Sequence, residues 1–443
     1  NWRASFIYSS QIVQHMSSTA TYWSGNFYTR NEGYATSLFD RAYPEQVKEI
    51  EDIIYQLTND GVTGDQMGVA RIMRAFIYHR LTDIYGDVPY SEAGKGYIDG
   101  VLKPKYDAQQ DIYMDMLKEL EEGVSQLGST SSLGNSDILF QGDLGKWKKF
   151  GNSLMLRLAL RLSKADPATS QAWATKAIAG GVMTSNADIA YIQHLLGPDG
   201  VNKNGHGEVF MADGNPRLSK TFVDFLKDDP RLPILGARRS DGSTNPADLI
   251  GMPNGLTSGA LEAKYGTTSA IYAEPNRGVI TGEDAPMVFQ TYAEVEFMMA
   301  EAITRGWASG DAKAHYEAGV KAAMQMLSML YPNAAAVSDA EVATYLAAKP
   351  FDTSKSLEMI GEQYWAATFF NEYEAFANWR RTGFPVLQPF SGEAIYDGNV
   401  TNGTIPRRLI YPGGEASTNA DSFAAAIARQ GANEFTTRVW WDK

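Results

Sequence analysis

Apolar stripes at helical spacing, arriving in neighbouring pairs, constrain this chain more than any other feature. From Pro44 to Asn59, the residues Val47, Ile50, Ile54 and Leu57 fall on one face, with proline in the first turn and Asn59 to Gly61 closing the segment. Its partner runs from Gln66 to Tyr85. There Ile72, Met73, Phe76, Ile77, Leu81 and Ile84 form a broad apolar face, Arg71, Arg74 and Arg80 lie at its margins, and Gly86 is the stop. A second pair spans 109–127 and 146–164, the latter with Leu154, Leu158 and Leu162 in line, and a third helix runs from Pro167 to the glycine cap at Gly180 and Gly181. A shorter helix is expected over 218–226. The pair 289–307 and 311–330 carries alanines 293, 300, 302, 312, 314, 318, 322 and 323, small enough to let two backbones close together. One hairpin of this kind cannot bury its own apolar face, so the pairs must stack. The expectation is a mostly α fold on a tetratricopeptide-like scaffold, with helix pairs within about 44–181 and 289–380 of a single domain, 1–443.

Between the pairs lie long segments full of glycine, asparagine and proline, chiefly 17–41, 191–216 and 236–286. Loops of this length in a compact protein are usually functional or disordered, and a disordered linker tends to lack the rings that these segments carry. They are the expected binding loops.

Charge narrows the partner. The formal net charge is −13, with no run of lysine or arginine of the kind that nucleic acid or an anionic membrane surface requires. A neutral ligand, or one read by shape, suits the 9 Trp, 23 Tyr and 19 Phe better. The chain has no cysteine, so disulfides, thiolate metal sites and cysteine nucleophiles are all excluded.

The usual catalytic signatures are absent from the sequence. The five histidines, at 15, 79, 194, 206 and 315, form no H-E-x-x-H pair, and neither a G-x-S-x-G elbow nor a phosphate-binding G-x-x-x-x-G-K-[ST] loop occurs. The stretch GHGEVF, 205–210, lacks the third glycine and preceding strand of a dinucleotide turn and reads as a loop. Glu294, Glu296 and Glu301 share a helix with packing alanines, where ion pairs to neighbouring helices are expected in preference to the facing carboxylates of a glycosidase. No cofactor is called for. Asp241, Asn245 and Asp248 share a loop with Gly242 and offer oxygens for a structural calcium, although their spacing departs from an EF-hand.

Six segments in order then carry a family resemblance: RLTDIYGDVPYSEA at 80–93, KYDAQQDIYMDMLKEL at 105–120, DLGKWKKFGNSLMLRLALRLS at 143–163, TYAEVEFMMAEAITRGW at 291–307, EQYWAATFFNEYEAFANWRRTGFPVL at 362–387 and IPRRLIYPGGEASTN at 405–419. Together they resemble the SusD/RagB family, in its SusD-like branch. The resemblance implies a helical scaffold of tetratricopeptide-like pairs bearing long loops and small β-hairpins. It further implies a non-enzymatic, cell-surface receptor that catches glycans and delivers them to a SusC-type TonB-dependent transporter. Members are held at the outer membrane by a lipid on an N-terminal cysteine, which this chain does not contain.

A sugar offers hydroxyls and flat C–H faces, so its receptor needs aromatic platforms and planar polar groups. Two segments have both. In 20–41, Tyr22, Trp23, Phe27, Tyr28 and Tyr34 alternate with Asn26, Arg30 and Asn31. In 260–278, Tyr265 and Tyr272 precede Asn276 and Arg277. The residues expected at the ligand are Trp23, Tyr28, Arg30, Tyr34, Tyr265, Tyr272, Asn276 and Arg277, whereas Trp147, Trp307, Trp365 and Trp379 lie on family helices and are expected in the core. The rival readings are a receptor of the same architecture for peptides or another nutrient, a tetratricopeptide-type protein scaffold, and a glycosidase.

Overall fold

A computed structural model describes residues 2–197 and 202–443, so residues 198–201 of the expected loop 191–216 lie outside the described residues. The fold is mostly helical, with two-stranded antiparallel ladders as its β-structure. The chain gathers into two compact units. One comprises Asn1–Tyr34, Tyr191–Glu301 and Asp311–Ile405; the other comprises Ala35–Ala190, Ala302–Gly310 and Pro406–Lys443. No helix among the described residues is long and apolar enough to cross a membrane.

The unit built around 35–190 holds the helix pairs. Helix α1 is Lys48–Asn59, α2 Asp65–Tyr85, α3 Gln109–Gln126, α4 Leu144–Arg161 and α5 Pro167–Gly180, each packed against the next. Glycines set the spacing. A Cβ on Gly68 of α2 would come within 2.6 Å of the Gly123 carbonyl of α3, and one on Gly151 of α4 within 2.5 Å of Val124. The helix starts follow from capping chemistry: Asp143 accepts the Lys146 amide at 3.0 Å, and Asp166 accepts that of Thr169 at 3.1 Å with Pro167 next to it. On α2 the buried face is not the one expected. Ile72, Phe76, Leu81 and Ile84 are buried, but so are Tyr78 and Arg74, while Met73 and Ile77 are only half-buried. Arg74 is tolerated because Glu51 accepts its Nε at 2.7 Å and the Tyr90 hydroxyl accepts Nη1 at 2.6 Å.

The other unit carries the expected binding loops on a second helical framework. Helix α6 is Gly205–Ala212, α7 Lys220–Phe225, α8 Ser258–Tyr265, α9 Tyr292–Thr304, α10 Ala312–Leu330, α11 Asp339–Ala348, α12 Ser356–Ala367 and α13 Glu372–Thr382. Segment 205–210 is therefore helix, not loop. Two glycines lower its intrinsic propensity, but Asn204 accepts the His206 amide at 2.8 Å, and Gly207 lets the backbone press on the Gly282 carbonyl, 2.4 Å from where a Cβ would sit. Helix α9 starts three residues later than expected. Thr291 and Glu294 satisfy each other's amides, at 2.8 and 3.1 Å, and Pro286–Gln290 before them is a strand.

Helices α9 and α10 pack closely, with Phe297 against Gly319, and Ala293, Ala300, Ala322 and Ala323 are buried. Ala314 is exposed and takes no part in the approach. The glutamates of α9 act as structural partners. Glu301 binds Arg381 bidentately at 2.6 and 2.7 Å, Glu296 meets His315 at 2.6 Å, and Glu294 accepts the Tyr364 hydroxyl at 3.1 Å. Trp365 and Trp379 are buried, with their indole N–H groups on the carbonyls of Val13 and Pro385. Trp147 is buried in the other unit, where Asp137 accepts its N–H at 2.7 Å. Trp307 is only half-buried, because the chain turns at Gly306 just past the end of α9.

Candidate functional site

The three expected binding loops meet at Asp213, in the turn after α6. Its Oδ2 accepts the Trp23 indole N–H at 3.0 Å and the Tyr22 hydroxyl at 2.5 Å, both from the first loop. Its Oδ1 accepts the backbone amide and the side-chain amide of Asn215, each at 2.8 Å, and that same side-chain amide donates to the Tyr22 hydroxyl oxygen at 2.9 Å. From the third loop, Arg277 donates to the Asp213 carbonyl at 3.0 Å and to the Phe210 carbonyl. One carboxylate and its neighbouring backbone thus fasten residues that lie far apart in sequence.

The outcome for the two adjacent rings differs. Trp23 is 0% exposed, so neither face of its indole is open to a ligand, whereas Tyr22 is 40% exposed. Tyr22 therefore presents a ring whose hydroxyl is already held, which removes much of the rotamer freedom that binding would otherwise have to freeze. Burial and the neighbouring Asp213 push its phenol up from the ordinary tyrosine range, so the hydroxyl stays protonated and donating.

Three arginines that touch the turn at Asp213–Pro216 converge on Glu274: Arg239 Nη1 at 3.1 Å, Arg277 Nε at 3.1 Å and Arg217 Nη1 at 3.8 Å. Arg217 is buried and also donates to the carbonyls of Ser269 at 2.8 Å, Gly214 at 2.6 Å and Pro216 at 2.9 Å. Burial pushes it down to about 10, against the pull of Glu274 and with the push of Arg239 and Arg277. Arg239 is exposed, and its guanidinium lies over Gly214, where a Cβ would come within 3.1 Å. The turn at 213–215 thus brings an amide beside the Tyr22 ring and a guanidinium over Gly214, and amides and guanidinium groups are the planar groups that engage paired hydroxyls.

The remaining expected residues are scattered. Tyr28 is buried against Phe390, ring centroids 4.6 Å apart, because the loop turns back there in the left-handed conformation (φ 51°) and its carbonyl accepts the Val400 amide at 3.0 Å. Like Trp23 it anchors the loop and offers no platform. Arg30 is exposed. Tyr34 is half-buried, with the Arg3 guanidinium 5.5 Å from its ring centre and equally far from that of Trp2. Tyr265 is 44% exposed and donates to Glu393 at 2.5 Å; Lys264 binds the same carboxylate, and burial, which pushes Glu393 up, is outweighed by these two partners, which hold it below its ordinary range. Tyr272 is buried with Met252, Leu256 and Leu261, and Asn276 is buried with its Oδ1 on the Gly278 amide at 3.2 Å.

In the loop considered for calcium, Arg238 supplies the positive charge. It donates to Asp241 at 2.9 Å and lies 3.4 Å from Asp248, which also accepts the Ser243 hydroxyl at 2.7 Å.

Sequence reasoning named Trp23 and Arg277 but left out Asp213, Asn215, Arg239 and Glu274, and it did not separate Tyr22 from the rings around it. The stretch Asp213-Gly214-Asn215-Pro216 is a turn signal, yet nothing in it announces which distant side chains it will hold.

Comparison with known proteins follows the same lines. The family model for starch-binding proteins that associate with the outer membrane, SusD-like, matches residues 1–412. Among solved structures, a chitin-binding protein is similar at 33% identity and a TM-score of 0.89, the alignment covering 100% of this chain and 96% of that one. A SusD-like protein from Bacteroidetes AC2a is similar at 27% identity and a TM-score of 0.85, over 99% and 95% of the two chains. A SusD homologue from Bacteroides uniformis shares the fold at 22% identity, with a TM-score of 0.83 and coverage of 100% and 95%. No curated protein sequence matches the chain. With a family match over nearly its whole length and a solved relative one-third identical, the chain belongs to the SusD-like family.

Proposed function

We propose that the protein is a non-enzymatic glycan receptor that takes up its ligand across the Tyr22 surface and passes it to a SusC-type TonB-dependent transporter. The observation that carries this reading is the exposed Tyr22 ring, fixed at its hydroxyl by Asp213 and Asn215, with the Arg239 guanidinium over Gly214 in the same turn. An aromatic face with an amide beside it suits the flat C–H face and the hydroxyls of a sugar ring. The family description, starch-binding, and the chitin-binding relative at 33% identity support a polysaccharide ligand. The association with the outer membrane in that description supports a place at that membrane.

The test is calorimetric titration with chitohexaose, maltoheptaose and a panel of peptides, for the wild type and Tyr22→Ala. Binding of at least one glycan is expected, weakened about tenfold in the variant, the loss of one well-placed ring contact worth roughly 1–1.5 kcal/mol. Heat with peptides and none with any glycan would favour the peptide-binding alternative. A reducing-sugar assay on the same mixtures should stay flat; release of new reducing ends would make the protein a glycosidase. Delivery predicts that the protein co-purifies with a TonB-dependent barrel from outer membranes.

A further inference from the structure

We propose that a second hollow in the same unit, a cleft over the C-terminal end of α10, takes a single sugar ring of the glycan and that the Tyr331 hydroxyl contacts it. This rests on the glycan-receptor reading and adds to it a site and a residue on an element distant in sequence from Tyr22.

The cleft has a volume of about 300 Å³, at the small end of the roughly 300–1,000 Å³ usual for ligand pockets, which fits one ring better than a length of chain. Its polar lining comes from Gln193, Arg277, Asp284 and Asn333, and Leu330 and Pro332 supply apolar surface. The side-chain amide of Asn333 donates to the Gly278 carbonyl at 3.1 Å, and that of Gln193 donates to the Asp284 carbonyl. These bonds orient both amides along the rim, and the Asp284 side chain beside them is exposed. Arg277 belongs to both places, since the guanidinium that lines the cleft also donates to the Asp213 carbonyl beneath Tyr22.

Tyr331 distinguishes this cleft from an ordinary surface dent. Tyr331 lines it, as it lines the more enclosed hollow among Leu327, Leu330 and Phe369; the residue is 8% exposed, its hydroxyl takes up no hydrogen bond with any described residue, and burial alone pushes the phenol above its ordinary range. A tyrosine this enclosed normally has its hydroxyl bonded within the protein; that of Tyr331 is not among the polar atoms buried without a partner, so it opens on a hollow. Other enclosed tyrosines of this unit show such a partner, Tyr8 with Thr29 at 2.9 Å and Tyr364 with Glu374 at 2.9 Å; Tyr272 lacks one as well among the described residues, but it packs with Met252, Leu256 and Leu261 and lines no part of this cleft. A hydroxyl facing a polar cleft without a partner of its own is suited to a ligand hydroxyl, which both donates and accepts. The carboxylate of Asp284 and the guanidinium of Arg277 then offer an acceptor and a donor for the neighbouring hydroxyls of the same ring.

The experiment compares chitobiose and chitohexaose, with maltose and maltoheptaose as a second pair, in titrations of the wild type, Tyr331→Phe, Asp284→Asn and Tyr22→Ala. In the pair that binds, Tyr331→Phe and Asp284→Asn are each expected to weaken both the short and the long sugar by about five- to tenfold, the net worth of one hydrogen bond. Tyr22→Ala is expected to weaken the long sugar alone. The melting temperature of Tyr331→Phe should equal or exceed that of the wild type, since the change removes a hydroxyl with no partner in the protein. Unchanged affinities in Tyr331→Phe, with chitohexaose or maltoheptaose still weakened by Tyr22→Ala, would overturn the cleft and leave the receptor reading standing. A fall of several degrees in the melting temperature of Tyr331→Phe would also overturn it, by showing the hydroxyl to be engaged within the fold. No binding of any of the four sugars by the wild type would overturn both.

Discussion

Two regions of the same compact unit bury an aromatic side chain, and they finish its polar tip in opposite ways. In the segment 20–31, Trp23 is enclosed and its N–H is taken by Asp213. At the cleft, Tyr331 is almost as enclosed and its hydroxyl is taken by no described residue. The difference teaches that burial alone does not separate scaffold from site. A ring whose polar end is satisfied within the protein has finished its work in folding, whereas a ring whose polar end is left open toward a hollow still has an interaction to make. Tyr22 is the intermediate case: its hydroxyl is held by the protein and its face is left to the solvent.

The comparison breaks most visibly if Trp23 is not scaffold. Trp23→Ala should destabilise the protein by about 3–5 kcal/mol in chemical denaturation, the usual cost of emptying a buried indole site. A variant that melted like the wild type but lost glycan affinity would return Trp23 to the binding surface. Asp213→Ala should cost less, roughly 1–3 kcal/mol, because it leaves the Trp23 N–H buried without its acceptor. It should also weaken glycan binding, because it releases the Tyr22 hydroxyl; an unchanged affinity would separate the platform from its anchor. Tyr265→Ala, at an exposed ring whose partner Glu393 keeps Lys264, should change stability by less than about 0.5 kcal/mol.

The smallest effect is expected from an ion pair with no part in either region. Glu296 bonds His315 at 2.6 Å and raises its pKa, against the effect of partial burial. The folded value lies above the unfolded one, near 6.5, so the pair's contribution is fully present below that pH and is lost as pH rises through the folded value. With His315 part-exposed, the amount is under about 1 kcal/mol. Denaturation midpoints of the wild type and His315→Gln should converge above neutral pH and separate below it.

The helical framework was legible in the sequence because a 3.6-residue period states directly which side of a helix is buried. The bounds of α3 and α5 follow from the apolar stripe together with Pro167 and the glycines after it. Where reading failed, a partner remote in sequence decided the result. Arg74 sits in the core because Glu51 and Tyr90 are there to receive it, and GHGEVF is helical because Asn204 caps it and Gly282 packs on it. The binding segments were legible as segments and not as residues. The rings of 20–41 are adjacent and chemically alike, and an aspartate 190 residues beyond Trp23 takes the polar ends of both Tyr22 and Trp23, yet only Trp23 is enclosed. Tyr331 was passed over for the same reason: it ends a regular helix, and only the missing partner of its hydroxyl distinguishes it.

The most direct test of the account is a crystal structure of the protein soaked with whichever oligosaccharide binds in solution. The prediction is a sugar ring stacked on the Tyr22 face, with carbon atoms within about 4.5 Å of it, and a ring in the cleft within hydrogen-bond reach of the Tyr331 hydroxyl. Sugar density elsewhere on the protein, with both tyrosines bare, would contradict it.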